Sequence, residues 1–525
     1  MILRLVAALA SGAILCVVSP PIGQHWLEWF SFIGLFWALR PGEHRANAWL
    51  SYATGWIAVF LLFGWLIETI VVFSNLPWVA ALVIHMIFAT AFALPYALVF
   101  GSVHWLRERF GLLWVFLTPA VQVAVEQLSP ALFPYYMGVG QYQTLPIWQG
   151  ASLFGVTGIS YLLILVNCVL AEAMYRRKEG RPLPLGALGG VAALWLCNLG
   201  FGFYRLDALR SEAASAPVLK VSQLQQNVTM EERLAASIIE GLQDWMVLTR
   251  KIARQGADLV VWPEGSIFFN PNDEKEARAL GDRSPRQFFE DLAKAGKFDF
   301  LIGGGTIQPD PAAPRGVSAF NSVYLFTREG KLTERYDKMV PLPFGEYIPF
   351  SDTFPILREW IEGPGDFQAG KRPTVFTGHT ADGGAFTYTV PICYEAILEG
   401  QMWTMFRGEK ADPVDLFVNI TNDGWFGDTA APHQHGMLAA VQAIHFGRPV
   451  VRSAYTGVSF NVTPWGELEH VTAPFTEEAR VVELRLSRVN TVYTAGGWLF
   501  PYLCVGVSAA AFALGRRRSP LPSAS

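Results

Sequence analysis

A carboxylate, an amine and a thiol recur at the ends of short polar-edged runs in the middle of this chain. Glu264 closes "DLVVWPEGS" (258–266), Cys393 closes "FTYTVPICYE" (386–395), and Lys338 lies in "ERYDKMVPLPFGEYIPF" (334–350). Together they make a covalent acyl-transfer apparatus. A thiol attacks as its thiolate and so needs a base, and the tetrahedral intermediate that follows needs a cation or donors for its oxyanion. Taken singly, each residue has a structural alternative: free cysteines are commonly buried, a Glu after Trp-Pro can cap a helix, and a single Lys is ordinarily a surface residue. Their joint occurrence carries the functional reading. Of five cysteines, Cys16, Cys168, Cys197 and Cys504 fall in long apolar runs, and Cys393 alone lies in the polar part of the chain. Export would open disulfide chemistry to that part, yet it offers Cys393 no partner, so the thiol is either inert or kept free to react.

The elements that must position these groups read as alternating strands and helices. Strand signals are "DLVVWPEGS", "FDFLIGGGT" (298–306), "FTYTVPICYE" and "DLFVNITNDGWFG" (415–427). Helical patterns at 230–256 and 431–447 separate several of them. The alternation predicts an α/β layered fold, in which reactive residues gather beyond the carboxyl ends of neighbouring strands. The glycines of "LIGGGT" lack the spacing of a phosphate loop and predict a close backbone approach instead.

The rest of the chain is membrane-like. Hydrophobic residues make up 52 % and charged residues 16 %, against about a quarter charged in soluble domains. The net charge of −4 provides no basic field for nucleic acid. Crossing the bilayer core takes about 20 apolar residues, and such runs predict eight transmembrane helices at 3–20, 25–40, 48–74, 78–101, 110–128, 152–176, 184–204 and 492–514. The domain plan is then a seven-helix transmembrane region (1–210), an inserted polar domain (215–488), a last helix (490–515) and a short tail (516–525). Arg4, Arg40, Arg45, Arg107, Arg109, Arg176–Lys178 and Arg516–Arg518 fall on one side, whereas the loops 19–24, 74–77 and 129–150 contain no Lys or Arg. By the retention of basic loops in the cytoplasm, both termini are cytoplasmic and the polar domain is outside. The first run ends "CVVSPP", without a small-residue cleavage site, and is kept as a helix.

"VVWPEGS", "YDKMVPLPFGEYIPF", "PICYE" and "NDGWFGDTAAPHQH" resemble the Glu, Lys and Cys motifs of the nitrilase superfamily, and in particular its membrane-anchored branch, the apolipoprotein N-acyltransferases. The resemblance implies an αββα nitrilase-like sandwich, with Cys393 as nucleophile, Glu264 as general base and Lys338 as stabilising cation. Glu346, Tyr394 and Glu395 take supporting places. It implies acyl transfer from a phospholipid, with phosphatidylethanolamine the expected donor, through a cysteine thioester to the α-amine of a diacylglyceryl-cysteine lipoprotein. It implies no cofactor or metal, and places the enzyme in a bacterial inner membrane with a periplasmic catalytic domain. A monomer is expected.

Trp425, Phe426, Phe344 and Tyr347 are candidate pocket walls. Acids at membrane depth are costly, which singles out Glu68 and Glu126; Glu126 is the candidate for an amine-bearing headgroup. His433 and His435 in "PHQH" lack further ligands at metal spacing. Two departures from the family pattern are Tyr455, where Asn is expected, and a short segment ending near Met230, for whose lid aromatic Trp245 is a possible substitute. The competing readings are a membrane-tethered amidase of a small exported compound and a ligand-binding receptor without turnover. Fold resemblance alone does not separate these, but the branch-specific motifs and the complete triad favour the transferase.

Overall fold

The computed structural model describes residues 1–74, 76–130, 132–228, 238–267, 269–272, 284–311, 316–351, 353–354, 356, 366–409 and 413–519, with the backbone alone at 238–240. The chain divides into two compact units. One is Met1–Glu68, Leu76–Ala208 and Asn490–Ser525; the other is Thr69–Asn75 and Leu209–Val489.

The first unit is helical. Among the described residues four helical stretches are long and apolar enough to cross a membrane: Trp78–Leu128, Val156–Lys178, Leu185–Ala213 and Gly497–Arg517. A fifth is gained if His44–Leu62 and Leu66–Ser74, bent by 55°, count as one span. Eight separate spans are therefore not what the helices display, and the reasons are local. The runs at 78–101 and 110–128 merge into one helical stretch, and Ile2–Val18 is a shorter apolar helix. The run at 25–40 breaks into two six-residue pieces, the 3₁₀ helix His25–Phe30 and the α-helix Ile33–Ala38, about 12 Å and about 9 Å long at their respective rises. Backbone groups freed at this break find partners inside the unit, as apolar surroundings require. Phe32 N–H donates to Asn167 Oδ1 at 3.1 Å and Leu35 N–H to Ser11 Oγ at 2.9 Å.

The second unit contains two six-stranded sheets. The first has the order β12-β1-β2-β3-β4-β5, from β1 (Val218–Gln225), β2 (Leu259–Ile267), β3 (Asp299–Pro309), β4 (Val317–Thr327), β5 (Lys331–Asp337) and β12 (Glu478–Arg485). The second has the order β11-β10-β9-β8-β7-β6, from β6 (Phe376–His379), β7 (Ala385–Thr389), β8 (Leu416–Thr421), β9 (Val450–Ala454), β10 (Phe460–Val462) and β11 (Leu468–Glu469). Strands β1, β2 and β3 run parallel, as do β7, β8 and β9. Parallel strands are covered on both faces and read as continuous apolar runs; "LVVW" and "LFV" fit that rule and are fully buried. β2 lies against β8 and β9, so the sheets face each other.

Helices cover the outer faces. α1 (Ile238–Ala253) packs on β1, β2 and β12, and α2 (Pro285–Gly296) on β4 and β5. On the other side α3 (Glu399–Arg407) packs on α4 (Ala431–Phe446), and α4 on β9. The result is the four-layered αββα sandwich that the resemblance implies. Trp262 anchors the layer under α1: it stacks on Trp245 at 5.2 Å and meets Phe300 edge-on at 5.0 Å. Trp245 is 0 % exposed. It is a core residue, and the assignment of Trp245 to a lid is corrected accordingly. The segment ending near Met230 lies outside the described residues.

Candidate active site

Glu264 sits near the carboxyl end of β2, where the pairing with β3 shifts register between Trp262 and Ile267. The shift brings the backbones together: a Cβ on Gly303 would lie 2.3 Å from Pro263 O and 2.8 Å from Glu264 Cα. That is the close approach which "LIGGGT" predicts. Both oxygens of the buried Glu264 carboxylate are engaged. Oε1 accepts from Asn321 Nδ2 at 2.7 Å and Lys338 Nζ at 3.4 Å, and Oε2 accepts from Asn422 N–H at 2.8 Å.

Lys338 follows β5 directly. Its backbone N–H donates to Asn321 O at 2.8 Å, and its ammonium lies 2.7 Å from Glu346 Oε2. Burial alone would strip its charge, but Glu346 and Glu264 outweigh burial and hold its pKa above the ordinary lysine value. Glu346 is fixed in turn, because Oε2 accepts from Leu342 N–H at 2.6 Å and Oε1 from Asn321 Nδ2 at 2.7 Å. Asn321 therefore bridges both carboxylates with one amide.

Cys393 opens a short helical turn beyond β7, with φ at +51°. A non-glycine residue in this region costs about 1–3 kcal/mol and persists only where its surroundings over-determine it. Here they do. Asn419 Nδ2 donates to Pro391 O at 2.9 Å, and Glu395 Oε2 accepts from Ile392 N–H at 2.8 Å. The other oxygen of Glu395 accepts from Tyr336 OH at 2.7 Å, Met339 N–H at 2.6 Å and Val340 N–H at 3.1 Å. One fully buried carboxylate thus ties the turn of Cys393 to the segment that follows Lys338. Burial pushes Glu395 up to about 7 against these donors. Burial, then the negative charge of Glu264, raises the Cys393 thiol, while Lys338 and the Thr421 hydroxyl act in the opposite sense. Burial and the nearby carboxylate thus favour the protonated thiol.

Burial likewise raises Tyr394 to about 12. Trp425 stacks on Phe73 at 4.7 Å. Phe344 is exposed, with φ at +65°, and its N–H donates to Tyr347 O at 2.8 Å. Phe426, 3 % exposed, points inward and meets His435 edge-on at 6.2 Å. Glu126 belongs to the helical unit, where its Oε1 accepts from Met137 N–H at 2.9 Å and Gln122 Nε2 at 3.2 Å. Tyr455 is buried edge-on against Trp245, with its N–H on Thr421 O. A cleft of about 1010 Å³ beside β5, bordered by Glu334, Arg335, Lys371, Arg372 and Glu409, contains none of Glu264, Lys338 and Cys393. Residues that sequence reasoning missed are Asn321, Tyr336 and Arg452; Thr421, Asn422 and Asp423 lie in the "TNDGWFG" turn that closes a strand signal but carry no individual role there. The visible signals for two of the missed residues are a lone amide in "SAFNSVYLF" and a lone cation in "PVVRSA".

A two-sheet sandwich with a buried carboxylate, ammonium and thiol at its strand ends defines a nitrilase-type domain, and residues 220–493 match the family model described as carbon-nitrogen hydrolase. Residues 11–169 match the apolipoprotein N-acyltransferase N-terminal domain. The apolipoprotein N-acyltransferase of Geobacter metallireducens is 28 % identical over 98 % of this chain and 95 % of its own. That of Agrobacterium fabrum is 30 % identical over 89 % of this chain and 87 % of its own. Among solved structures, an amidase from Nesterenkonia sp. AN1 aligns at 14 % identity and a TM-score of 0.36, covering 52 % of this chain and 95 % of that one. The chain belongs to the apolipoprotein N-acyltransferase family.

Proposed function

We propose that the protein transfers an acyl chain from a phospholipid, through a thioester on Cys393, to the N-terminal amine of a diacylglyceryl-cysteine lipoprotein. The observation that carries the catalytic assignment is the buried cluster in which Glu264 and Glu346 flank the Lys338 ammonium at 3.4 and 2.7 Å, beside a thiol held at positive φ. In the first half-reaction Cys393 gives its proton to Glu264 as sulfur attacks the ester carbonyl. Lys338 stabilises the oxyanion. The ester C–O bond breaks, Glu264 returns the proton to the departing alkoxide, and lysophospholipid leaves. In the second half the amine attacks the thioester, Glu264 takes the proton of the attacking nitrogen, the C–S bond breaks and the thiol is restored. A thioester is more reactive than the ester it came from, so water must be kept away between halves. Trp425, Phe344 and Tyr347 are the walls assigned to that task, with Phe426 behind them; Tyr394 and Glu395 support the turn of the nucleophile and Glu346 its cation.

The proposal includes phosphatidylethanolamine as donor, with Glu126 facing its amine, and a monomeric enzyme in the bacterial inner membrane. Residues 1–210 and 490–515 are assigned to the membrane. Residues 215–488 are assigned to the periplasm, with both termini and the tail from 516 in the cytoplasm. The skew of Lys and Arg supports this orientation. The test is intact mass measurement after incubation with phosphatidylethanolamine and no acceptor. A hydroxylamine-sensitive acyl adduct, absent in Cys393→Ala, is expected. No adduct, with lipid shown to be accessible, would return the assignment to an amidase of a small substrate or to a binding domain.

A further inference from the structure

Behind the turn of the nucleophile lies an ionic cluster that the triad chemistry leaves unused. Asp423, just after β8, His435, in α4, and Arg452, in β9, are each 2 % exposed or less. Asp423 Oδ1 lies 2.8 Å from His435 Nδ1, and Arg452 Nη2 donates to Asp423 Oδ2 at 2.8 Å. Arg452 Nη2 also lies 3.2 Å from His435 Nδ1. No side chain larger than that of Gly457 fits beside the cluster, since a Cβ there would stand 2.1 Å from Asp423 Oδ2. A buried ionic group of this kind is weak evidence for stability, because desolvation offsets most of the attraction. Its retention calls for another reason.

The cluster reaches Cys393 by three routes. Arg452 Nη1 donates to Asn419 Oδ1, and the amide of Asn419 donates to Pro391 O at 2.9 Å. The His435 ring interacts with the Cys393 backbone. The Thr421 hydroxyl donates to Asp423 Oδ1 at 3.0 Å and also acts on the Cys393 thiol, against the effect of burial. The charged groups acting on the sulfur are Glu264, Lys338 and Asp423.

We propose that Asp423, His435 and Arg452 are positioning residues that brace the Cys393 turn and release the Thr421 hydroxyl to donate to the sulfur as it becomes charged. Asp423 and the incipient thiolate compete for one hydroxyl hydrogen. Arg452 and His435 draw the Asp423 charge towards themselves, and the hydroxyl is left to turn. Burial works against the Asp423 charge, but the Arg452 guanidinium and the His435 ring bonded to it outweigh burial and hold its pKa at about 2, so the competing acceptor stays ionised and compensated throughout the working range. Burial lowers the His435 pKa, so the ring acts as a hydrogen-bond partner and not as a second fixed charge. No proton leaves the cluster; only the hydroxyl rotates.

This inference rests on Cys393 being the nucleophile, and the experiment separates the two. Full-length wild type, Thr421→Val, Thr421→Ser and His435→Gln are compared in detergent with phosphatidylethanolamine. Two readouts are taken: the single-turnover rate of Cys393 acylation by intact mass, and the pH profile of Cys393 alkylation by iodoacetamide. A hydrogen bond to a charged group corresponds to a change of roughly tenfold to a hundredfold. Thr421→Val, which keeps the shape, is expected to slow acylation by that factor at unchanged KM and to move the alkylation profile to higher pH. Thr421→Ser restores both, and His435→Gln follows Thr421→Val. A Thr421→Val protein that matches wild type in both readouts overturns the inference. So does a His435→Gln protein that melts earlier but retains the wild-type alkylation profile. If wild type forms no adduct while the alkylation profile still moves in Thr421→Val, the transferase reading fails and the brace stands.

Discussion

Lys338→Met removes the cation from between two buried carboxylates. Lys338 is 2 % exposed, 2.7 Å from Glu346 Oε2 and 3.4 Å from Glu264 Oε1. Removing one partner of a buried ion pair typically costs about 3–5 kcal/mol, because the charge left behind is uncompensated. In a domain of this size that lowers Tm by on the order of 10 °C. In the native protein the Lys338 pKa is raised, so its stabilisation is complete below the ordinary lysine value and is lost only as pH rises through the raised one. In Lys338→Met, Glu264 and Glu346 are left as two facing carboxylates with the Asn321 amide between them. Adding Glu346→Gln to Lys338→Met removes one of the stranded charges and should recover part of the loss. The assay is thermal unfolding of the purified proteins in detergent, followed by intrinsic fluorescence. No recovery in the double variant would refute the buried-charge reasoning.

Trp245→Ala should cost about 3–5 kcal/mol as a core truncation while turnover per folded molecule stays close to wild type, as measured by activity normalised to the folded fraction; a lid residue would give the opposite pattern. Gly303→Ala forces β2 away at Pro263 and Glu264 and should reduce acylation by roughly a hundredfold with unchanged lipid binding. Glu395 is raised by burial to about 7, so wild-type stability should fall as pH rises from about 4.5 to about 7, by roughly 3 kcal/mol at about 1.4 kcal/mol per pH unit. Glu395→Gln should flatten that slope in a melting series across pH.

Much of the catalytic unit was legible because its parallel strands are continuous apolar runs ending in reactive residues, as "LVVWPEG" and "TVPICYE" illustrate. Glu264, Lys338 and Cys393, with Glu346 and Glu395, stood out as ionisable residues in motif surroundings. Asn321 did not, since an amide within a strand looks the same whether it faces water or joins two carboxylates. Arg452 and Asp423 were opaque for a related reason: their pairing joins β9 to the end of β8, and no local pattern records a contact between distant segments. Trp245 was misread because an aromatic near a missing lid suggested replacement, whereas its helical spacing placed it on the packed face of α1. In the helical unit, hydropathy located the apolar runs but not the break at Ser31 and Phe32, which depends on side chains of other helices accepting its backbone donors.

The wide sequence separation of the paired strands has a consequence for when the enzyme becomes active. β1 is held between β2 and β12, with Val218 opposite Arg485, so the first sheet is not complete until the last strand of the domain has emerged. Glu264 comes from that sheet and Cys393 from the other, and neither sheet alone brings carboxylate and sulfur together. Contacts this distant form late. A nascent or truncated chain therefore holds the two groups apart, and they meet only once the whole domain has been made and its two sheets have closed on each other.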